Sequence, residues 1–179
     1  MNRDKFFPMV RAELFGGKLT QKQFEGLDYL LGAAAPDMDR RQLAYVLATA
    51  QHETAATMQP IEEYGKGRKH KYGAVDPETG HAYFGRGYVQ ITWRDNYRKM
   101  GELLGVDLVN SPELALDPSI AARIIFMGME LGSFTGRKLA DYFNDTKTDW
   151  TNARRIVNGV DCAELIAGHA RKYHAALGD

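Results

Sequence analysis

The chain has 179 residues, of which 44% are apolar and 26% charged, a length and composition typical of one globular domain rather than of a disordered chain. Lysine plus arginine and aspartate plus glutamate number 23 each, so the net charge favours no nucleic-acid partner. The single cysteine, Cys162, excludes an internal disulfide, and we expect it to be a small buried residue without chemistry.

No internal repeat, low-complexity tract or linker interrupts the sequence, which predicts a single domain over residues 1–179. The chain begins Met-Asn-Arg-Asp-Lys-Phe-Phe-Pro and lacks the apolar stretch of a signal peptide. No apolar run approaches the ~20 residues that cross a bilayer. We therefore expect a protein that directs neither its own export nor its insertion into a membrane.

Two helices are predicted in the first third of the chain. Thr20 and Gln23 form a capping box before an apolar stretch with helical spacing. Asp39 and Gln42 repeat this pattern before a second helix, which reaches Glu53.

A long irregular segment follows the second predicted helix. Residues 59–87 contain six glycines and two prolines and show no helical spacing. A stretch of this length without regular structure inside a helical domain is commonly functional. The next residues, 88–92, alternate in polarity and predict one strand of a small hairpin.

The rest of the chain is again helical. Asp117 followed by Pro118 predicts the start of a helix. Thr148 is predicted to cap a shorter helix that stops near residues 158–159, and the last helix is predicted over 162–177. These signals predict a mostly α-helical fold with a small β-hairpin or irregular loop.

Glu53 ends the second predicted helix and is a candidate for acid–base chemistry. Val46, Ala50 and Glu53 share one face at helical spacing, so the carboxyl group continues an apolar face and is partly removed from water. Such a carboxyl group suits a general acid. A helix-end glutamate that points into water explains the spacing at least as well.

Glu62 and Glu63 stand at the start of the irregular segment and supply further carboxyl groups. Glycoside hydrolysis uses two such groups: one protonates the leaving oxygen, and the other attacks the sugar or activates a water. An exposed acidic pair is the alternative that the spacing leaves open.

His52 suggests a zinc site, because His-Glu is half of the motif His-Glu-x-x-His. Ala56 stands where the second histidine of that motif would be, and His70 and His81 lack ligand spacing. We therefore predict no metal and no other cofactor, and we expect His52 to orient a neighbour or to pack beside the site.

Five loop residues form what we call the basic patch: Lys66, Arg68, Lys69, His70 and Lys71. A solvated loop explains the patch, and so does attraction to an anionic polymer such as peptidoglycan or teichoic acid. Nucleic acid is not predicted, because the patch is short and its only aromatic flanks are Tyr64 and Tyr72.

Residues 83–93 combine aromatic side chains, glycines and one arginine. Aromatic rings stack on sugar faces, and glycines let a backbone approach a ligand closely. Gln90, Thr92 and Asn96 add neutral hydrogen-bonding groups that suit hydroxyl and acetamide groups. The segment is therefore a candidate sugar-binding surface.

Together these motifs resemble the family 19 glycoside hydrolases, which include plant-type chitinases and many bacteriophage endolysins. The resemblance rests on His52-Glu53-Thr54, Tyr83-Phe84-Gly85-Arg86-Gly87-x-x-Gln90-x-Thr92-Trp93, Asn96-Tyr97 and Val157-Asn158-Gly159, which occur in the family's order. Met58-Gln59-Pro60 and residues 93–97 look most like the endolysins.

The resemblance implies a mostly α-helical, lysozyme-like domain with two lobes around a central cleft, and hydrolysis with inversion at the anomeric carbon. It implies the catalytic acid at Glu53 and a water-activating base in the loop that follows, with Thr92 helping to hold the water. The substrate-binding residues that we take from it are His52, Tyr83, Arg86, Gln90, Trp93, Asn96 and Asn158.

The sequence departs from the plant members in two respects. It cannot form their disulfides, and their second glutamate lies farther from the first, in a longer loop. Among the loop carboxylates we favour Glu63 as the base, with Glu62 as a close rival and Glu78 third.

The expected function is that of a phage-type endolysin that hydrolyses the β-1,4 bond between N-acetylmuramic acid and N-acetylglucosamine in peptidoglycan. We expect a monomer without a separate wall-binding module, held in the host cytoplasm until a holin opens the membrane. A weak contact with an anionic wall or outer-membrane surface is also expected. Core packing is the main role expected of the last helix, which also offers basic side chains for such a contact: His169, Arg171, Lys172 and His174.

Three alternatives stay open. A chitinase performs the same chemistry on a polymer of N-acetylglucosamine. A catalytically inactive sugar-binding protein can use the same scaffold, although the candidate carboxylates argue against it. A lytic transglycosylase needs one acid and no water-activating base, and it leaves an anhydro-muramic product.

Overall fold

The computed structural model describes residues 2–178. Within them, six α-helices account for most of the regular structure, which confirms the predicted mostly α-helical class. The helices are α1 (Arg3–Leu14), α2 (Gln21–Ala33), α3 (Arg40–Glu53), α4 (Arg94–Leu104), α5 (Pro118–Leu131) and α6 (Ala163–Leu177). Four 3-10 helices lie at Lys71–Gly73, Pro112–Leu116, Leu139–Asp141 and Asn152–Ile156.

Two antiparallel strand pairs complete the regular structure of the described residues. The strands are β1 (Ile61–Glu62) with β2 (Arg86–Gly87), and β3 (Phe143–Asn144) with β4 (Lys147–Thr148). The first pair joins the two ends of the long irregular segment, with Glu62 opposite Arg86. This pairing brings the candidate carboxylates next to the start of the 83–93 segment.

Helix α3 lies at the centre of the fold. Residues 44–51 are all buried, and α3 packs most extensively against α6, which also packs against α1. Seven residues of α6 between Ala163 and Leu177 are buried, in agreement with the packing role expected for this helix. No helix among residues 2–178 has both the length and the apolar character that a membrane span requires.

The helix starts predicted at Thr20 and Asp117 are confirmed. Thr20 and Gln23 form the reciprocal capping box of α2. Asp117 accepts hydrogen bonds from two backbone N–H groups in the first turn of α5, which begins with Pro118. These starts are predictable because a cap and the N–H groups that it satisfies lie within one turn of each other.

Helix α3 begins at the predicted cap without forming the predicted box. Asp39 accepts from the Arg41 N–H at 2.7 Å. Gln42 does not turn back toward Asp39 but donates to the carbonyl of Phe143 at 3.0 Å. The side chain of Gln42 thereby ties the start of α3 to β3.

The strand predicted over residues 88–92 is wrong. The pairing falls on Arg86–Gly87, after which the chain turns until Ile91 faces Arg86 across an isolated bridge. Gln90, inside this turn, has a φ of +54°, which is incompatible with an extended strand.

The helix cap predicted at Thr148 is also wrong. Thr148 lies in β4 and pairs with Phe143. The turn that leads into Asn152–Ile156 is closed by Asp149, whose carboxylate accepts from the Asn152 N–H at 3.0 Å. The short helix itself ends close to the predicted position.

Helices α1 and α4 are absent from the predicted elements. Helix α1 begins after the cap Asn2 but contains Pro8, a residue that usually ends a helix. Helix α4 follows Trp93, whose side chain makes no capping hydrogen bond. Both helices bury aromatic side chains, Phe6 in α1 and Tyr97 in α4, so packing stabilises them where local signals are weak.

Cys162 is exposed, so the expectation that it is buried is wrong. It lies just before α6 at a φ of +55°, and the buried face of that helix begins only at Ala163. The residue therefore belongs to a surface turn.

Candidate active site

Glu53 is the last residue of α3, and a buried arginine holds its carboxyl group. Arg154 Nη1 donates to Glu53 Oε1 at 2.7 Å. The side chain of Arg154 is 3% exposed and that of Glu53 is 17% exposed. Arg154 Nε also donates to the carbonyl of Asp161 at 3.0 Å, so the guanidinium is fixed from two sides. No hydrogen bond within residues 2–178 engages Glu53 Oε2, which leaves that oxygen available to a ligand.

The turn after Glu53 is fixed by Thr54 and by helix α2. Thr54 is fully buried, and its hydroxyl accepts from the Met58 N–H at 3.2 Å while donating back to α3. Gln23 Nε2, in the first turn of α2, donates to the carbonyl of Ala56 at 2.9 Å. The capping residue of one helix thus also supports the turn that follows the other.

Gly26 allows α2 to approach this turn closely. A Cβ at Gly26 would lie 1.7 Å from the carbonyl oxygen of Met58. Gln59 Nε2, at the end of the turn, donates to the carbonyl of Lys22 at 2.6 Å. The path of the chain between Glu53 and β1 therefore depends on a close contact that only glycine permits.

Glu62, in β1, is surrounded by cations. Lys66 Nζ lies 2.8 Å from Glu62 Oε2, and Arg86 Nε lies 3.7 Å from Oε1. The guanidinium of Arg86 also stacks on the ring of Phe84 at 3.7 Å. Glu62 thus serves as counter-ion to two cations of the loop.

Glu63 has different neighbours. Its N–H donates to the carbonyl of Gly85 at 2.7 Å and extends the pairing of β1 with β2 by one residue. Successive residues of a strand point to opposite faces, so the side chain of Glu63 points away from the cations that pair with Glu62. Glu63 Oε1 accepts from the Tyr72 hydroxyl at 3.0 Å, and Oε2 accepts from the Gly85 N–H at 3.1 Å.

Tyr72 connects Glu63 with Trp93. The Tyr72 and Trp93 rings meet edge to face with centroids 5.5 Å apart. Partial burial, and after it the hydrogen bond to Glu63, raise the pKa of the Tyr72 phenol, so Tyr72 is the donor in this pair. Glu63, Tyr72 and Trp93 therefore form one continuous group on this face of the loop.

Tyr83 and Arg86 lie beneath the surface. Tyr83 is 3% exposed, and its hydroxyl hydrogen-bonds the Val109 carbonyl at 2.9 Å. Arg86 is 6% exposed and donates to the Tyr97 hydroxyl at 3.0 Å. Burial raises the pKa of Tyr97 to about 12, against the opposite effect of Arg86. These buried side chains support residues 83–93 from the protein interior. That they contact a ligand stays a prediction.

The exposed aromatic side chain of the segment is Trp93, which is 49% exposed and has a φ of +72°. Thr92 is half-buried, and its carbonyl accepts from Asn96 Nδ2 at 2.7 Å. Gln90 Nε2 donates to one carbonyl in β1 and one in β2, at 2.9 and 3.0 Å. The amides of Gln90 and Asn96 are thus bound to the loop's own backbone, and the ring of Trp93 is exposed. That Trp93 binds sugar stays a prediction.

Asn158 is exposed at the end of the 3-10 helix that carries Arg154. Its Oδ1 accepts from the Gly159 N–H at 2.8 Å, and its own N–H donates to the Arg154 carbonyl at 3.0 Å. The Asn-Gly motif therefore belongs to the same local structure as the partner of Glu53.

His52 is half-buried beside α6. Burial, then Lys172, then His52 lower the pKa of His169 in α6. Within residues 2–178 no group of three or more His, Cys, Asp or Glu side chains is arranged to hold a metal ion. Glu78, the third candidate base, is exposed and pairs with Arg94 at 2.6 Å.

Arg154 and Tyr72 are site residues that the motifs do not indicate. Arg154 stands in an Arg-Arg pair that charge alone assigns to the surface. A signal is present in the sequence, because the helix predicted to end near residues 158–159 places Arg154 and Asn158, which are four residues apart, on one face. In the structure the 3-10 helix ends at Ile156, and Arg154 is buried whereas Asn158 is exposed. Tyr72 has no comparable signal, since its partner Glu63 is brought to it by the folding of the loop.

The basic patch lies on the loop that carries Tyr72. Three of its cations are exposed and form no ion pair among residues 2–178: Arg68, Lys69 and Lys71. Lys66 pairs with Glu62, and His70 stacks on Tyr72 with centroids 4.9 Å apart. The unpaired cations are therefore one to four residues from Tyr72, the side chain that contacts Glu63.

Comparison with known proteins identifies related sequences. The family model described as chitinase class I matches residues 31–131, which include Glu53, Glu63 and Thr92. Endochitinase 2 of Gossypium hirsutum is 36% identical over 103 residues, which are 49% of this chain and 34% of that protein. Endochitinase 1 of Theobroma cacao is 37% identical over 102 residues, covering 49% and 32%. The matched segment thus spans about a third of these curated relatives.

Solved structures resemble nearly the whole chain. A bacterial family 19 chitinase aligns with a TM-score of 0.67 and 22% identity over 99% of this chain and 94% of that one. Chitinase C from Streptomyces griseus aligns with a TM-score of 0.60 and 19% identity over 99% and 78%. At these identities the likeness shows the fold, which is the lysozyme-like helical fold of those chitinases.

Proposed function

The chain belongs to the chitinase class I family, glycoside hydrolase family 19, and on that premise we propose that it is an inverting peptidoglycan hydrolase. The bond cut is the β-1,4 linkage between N-acetylmuramic acid and N-acetylglucosamine. The observation that carries the proposal is a pair of restrained carboxyl groups, Glu53 and Glu63, within the matched segment. One is held by a buried cation and the other by neutral donors, and hydrolysis of a glycosidic bond uses two carboxyl groups in separate roles.

Glu53 is the proposed acid. Arg154 engages Oε1 and leaves Oε2 for the oxygen of the leaving sugar. When Glu53 has given its proton to that oxygen, the carboxylate that remains is stabilised by the guanidinium 2.7 Å away. Arg154 thus orients the acid before the transfer and stabilises its charge afterwards.

Glu63 is the proposed base. It takes a proton from a water whose oxygen attacks the anomeric carbon from the face opposite the leaving group. The carbon–oxygen bond to the leaving sugar breaks, and the proton of Glu53 neutralises the departing oxygen. Thr92 is proposed to help hold the water. Glu62 is less suited to this role because Lys66 and Arg86 already engage it.

The test compares Glu53→Gln, Glu63→Gln and Glu62→Gln by loss of turbidity of purified peptidoglycan. We expect losses of at least about 100-fold for the first two, and activity near wild type for Glu62→Gln. Equal lysis by wild type and Glu53→Gln overturns the hydrolase proposal. Loss with Glu62→Gln but not with Glu63→Gln moves the base to Glu62. An anhydro-muramic product in mass spectra identifies a lytic transglycosylase instead.

The basic patch favours peptidoglycan over chitin as the substrate. Chitin is uncharged, whereas the peptide stems of peptidoglycan carry carboxylates that exposed cations attract. Chitin is the second candidate because the curated relatives are named endochitinases. Rates on purified peptidoglycan and on chitin oligomers decide between them, and faster turnover of the oligomers makes the protein a chitinase.

A role as a bacteriophage endolysin completes the proposal. Its support is the likeness of Met58-Gln59-Pro60 and of residues 93–97 to endolysins. In this role the protein stays in the host cytoplasm until a holin opens the membrane, and it then acts on the wall as a monomer with weak contact to anionic surfaces. Expression in a bacterium with and without a holin tests the role: lysis should require both, and lysis without the holin contradicts it.

A further inference from the structure

The loop over residues 63–73 folds back on itself around Tyr72. A Cβ at Gly73 would lie 2.1 Å from the carbonyl oxygen of Gly67, and a Cβ at Gly67 would lie 2.8 Å from the Tyr72 ring. Gly67 also has a φ of +66°. These contacts require glycine at both positions, and they confine the ring of Tyr72.

Two aromatic neighbours fix the ring further. His70 stacks on it with an interplanar angle of 8°, and Trp93 meets it edge to face at 76°. With the ring held in this way, the hydroxyl of Tyr72 is directed at Glu63 Oε1.

We infer that Tyr72 is a positioning residue for the base, an inference that rests on Glu63 being the base of the proposed reaction. The Tyr72 hydroxyl on Oε1 and the Gly85 N–H on Oε2 together fix the plane of the carboxylate. Each oxygen keeps a lone pair that can accept the proton of the attacking water.

Other ionisable groups surround the pair: Glu62, Lys66, His70, Arg86 and Tyr97. Lys66 and Arg86 form ion pairs with Glu62. His70 stacks on the ring of Tyr72, which lies between His70 and Glu63. Among residues 2–178, Tyr72 is the ionisable side chain that hydrogen-bonds Glu63 directly. Removing its hydroxyl therefore isolates its effect on the base.

The experiment compares kcat and KM of wild type, Tyr72→Phe and Tyr64→Phe, with purified peptidoglycan as substrate. Tyr64 is 79% exposed on the same loop, so its variant controls for the loss of a hydroxyl. In Tyr72→Phe we expect kcat to fall about tenfold, because the carboxylate of Glu63 is less often aligned with the attacking water. KM should stay near wild type, and Tyr64→Phe should match wild type in both constants.

A direct measurement of the carboxyl group distinguishes loss of positioning from a loosened loop. The side chain of Glu63 and the loop backbone are followed by NMR relaxation in folded wild type and Tyr72→Phe without substrate, and only the carboxyl group should become more mobile in the variant. Unchanged mobility of the carboxyl group together with unchanged kcat overturns the inference. If Glu63→Gln is inactive while Tyr72→Phe behaves as wild type, only the inference fails. If Glu63→Gln keeps wild-type activity, the assignment of the base fails and the inference fails with it.

Discussion

Arg154 Nη1 lies 2.7 Å from Glu53 Oε1, although the two residues are 101 positions apart in the chain. The contact joins the end of α3 to the 3-10 helix Asn152–Ile156, where the arginine is almost inaccessible to water. Removing a guanidinium from water is costly unless partners replace its hydration. Loss of either partner alone leaves a largely buried charge uncompensated, so the pair links the stability of the fold to the proposed acid.

Replacing Arg154 by methionine should affect stability and activity together. Arg154→Met leaves Glu53 largely buried without a counter-charge, and we expect the free energy of unfolding to fall by about 3 kcal/mol. Lysis should fall by at least about 100-fold, because the charge left after proton transfer loses its stabilising partner. Urea unfolding and turbidity assays measure the two effects.

The exposed neighbour Arg155 supplies the control, and Arg155→Met should leave both quantities near wild type. In a Glu53→Gln background, Arg154→Met should cost less stability than in wild type, because the buried negative charge is already gone. An equal cost in both backgrounds contradicts a stabilising interaction between the two side chains.

Removing charge from the basic patch should slow lysis of peptidoglycan without slowing hydrolysis of a neutral substrate. The variant carries three alanines, at Arg68, Lys69 and Lys71. We expect a decrease of about tenfold at low salt that shrinks as salt screens the attraction. Rates on chitin oligomers should stay unchanged.

A variant with alanines at Arg11, Lys18 and Lys22 changes the net charge equally, away from the loop. If this control slows lysis as much as the patch variant does, then overall charge and not the position of the patch governs the interaction.

Trp93 should contribute to substrate binding although its positive φ strains the backbone. Trp93→Ala should raise KM about tenfold, the effect expected from loss of ring stacking. Trp93→Gly should show the same KM as Trp93→Ala. Its free energy of unfolding should be greater than that of Trp93→Ala by about 1 kcal/mol, because glycine adopts a φ of +72° without strain. Steady-state kinetics and urea unfolding of the two variants test both statements, and an unchanged KM contradicts a role in binding.

Gly26→Ala should disturb the turn after Glu53. The added Cβ would meet the Met58 carbonyl at 1.7 Å, so we expect a loss of about 3 kcal/mol, near the upper end for overpacking, and reduced activity. Gly32 lies in the same helix with no atom within 4 Å of an added Cβ. Gly32→Ala should therefore stabilise the protein by about 0.5 kcal/mol. Thermal unfolding that ranks the two variants in the opposite order contradicts the close approach at Gly26.

The stability of the protein should fall in mild acid because of His169. Burial lowers the pKa of His169 below its ordinary value of 6.5, and its Nδ1 is buried without a hydrogen-bond partner. Above that ordinary value the imidazole is neutral in both states and has no effect. As the pH falls below it, the unfolded chain takes up a proton that the folded protein resists, so the free energy of unfolding decreases.

Urea unfolding between pH 7.5 and pH 5 measures this slope. His169→Gln should flatten it, whereas His174→Gln, a change on the same helix, should leave it in place. If the free energy of unfolding of His169→Gln still falls with pH as in wild type, other groups cause the acid sensitivity.

Local signals account for the elements that were predicted. Helix α2 begins where Thr20 and Gln23 satisfy each other's backbone, and α5 begins at Asp117, since capping involves residues within one turn. The prediction of a strand over 88–92 is wrong because the chain turns at Gln90, and this turn pairs Arg86 with Ile91. Helix α4 was missed because its stability comes from burying side chains such as Tyr97 rather than from a cap.

By itself, the sequence determined the helical class, the family resemblance and the candidate carboxylates, because each of these is encoded in short stretches of neighbouring residues. The tertiary structure alone decided what surrounds each carboxylate. Glu53 meets Arg154 from the far end of the chain, Glu62 meets cations, and Glu63 meets Tyr72. Hydrogen bonds and ion pairs depend on distances of a few ångströms, and a one-dimensional pattern does not specify such distances between residues that the chain brings together only on folding.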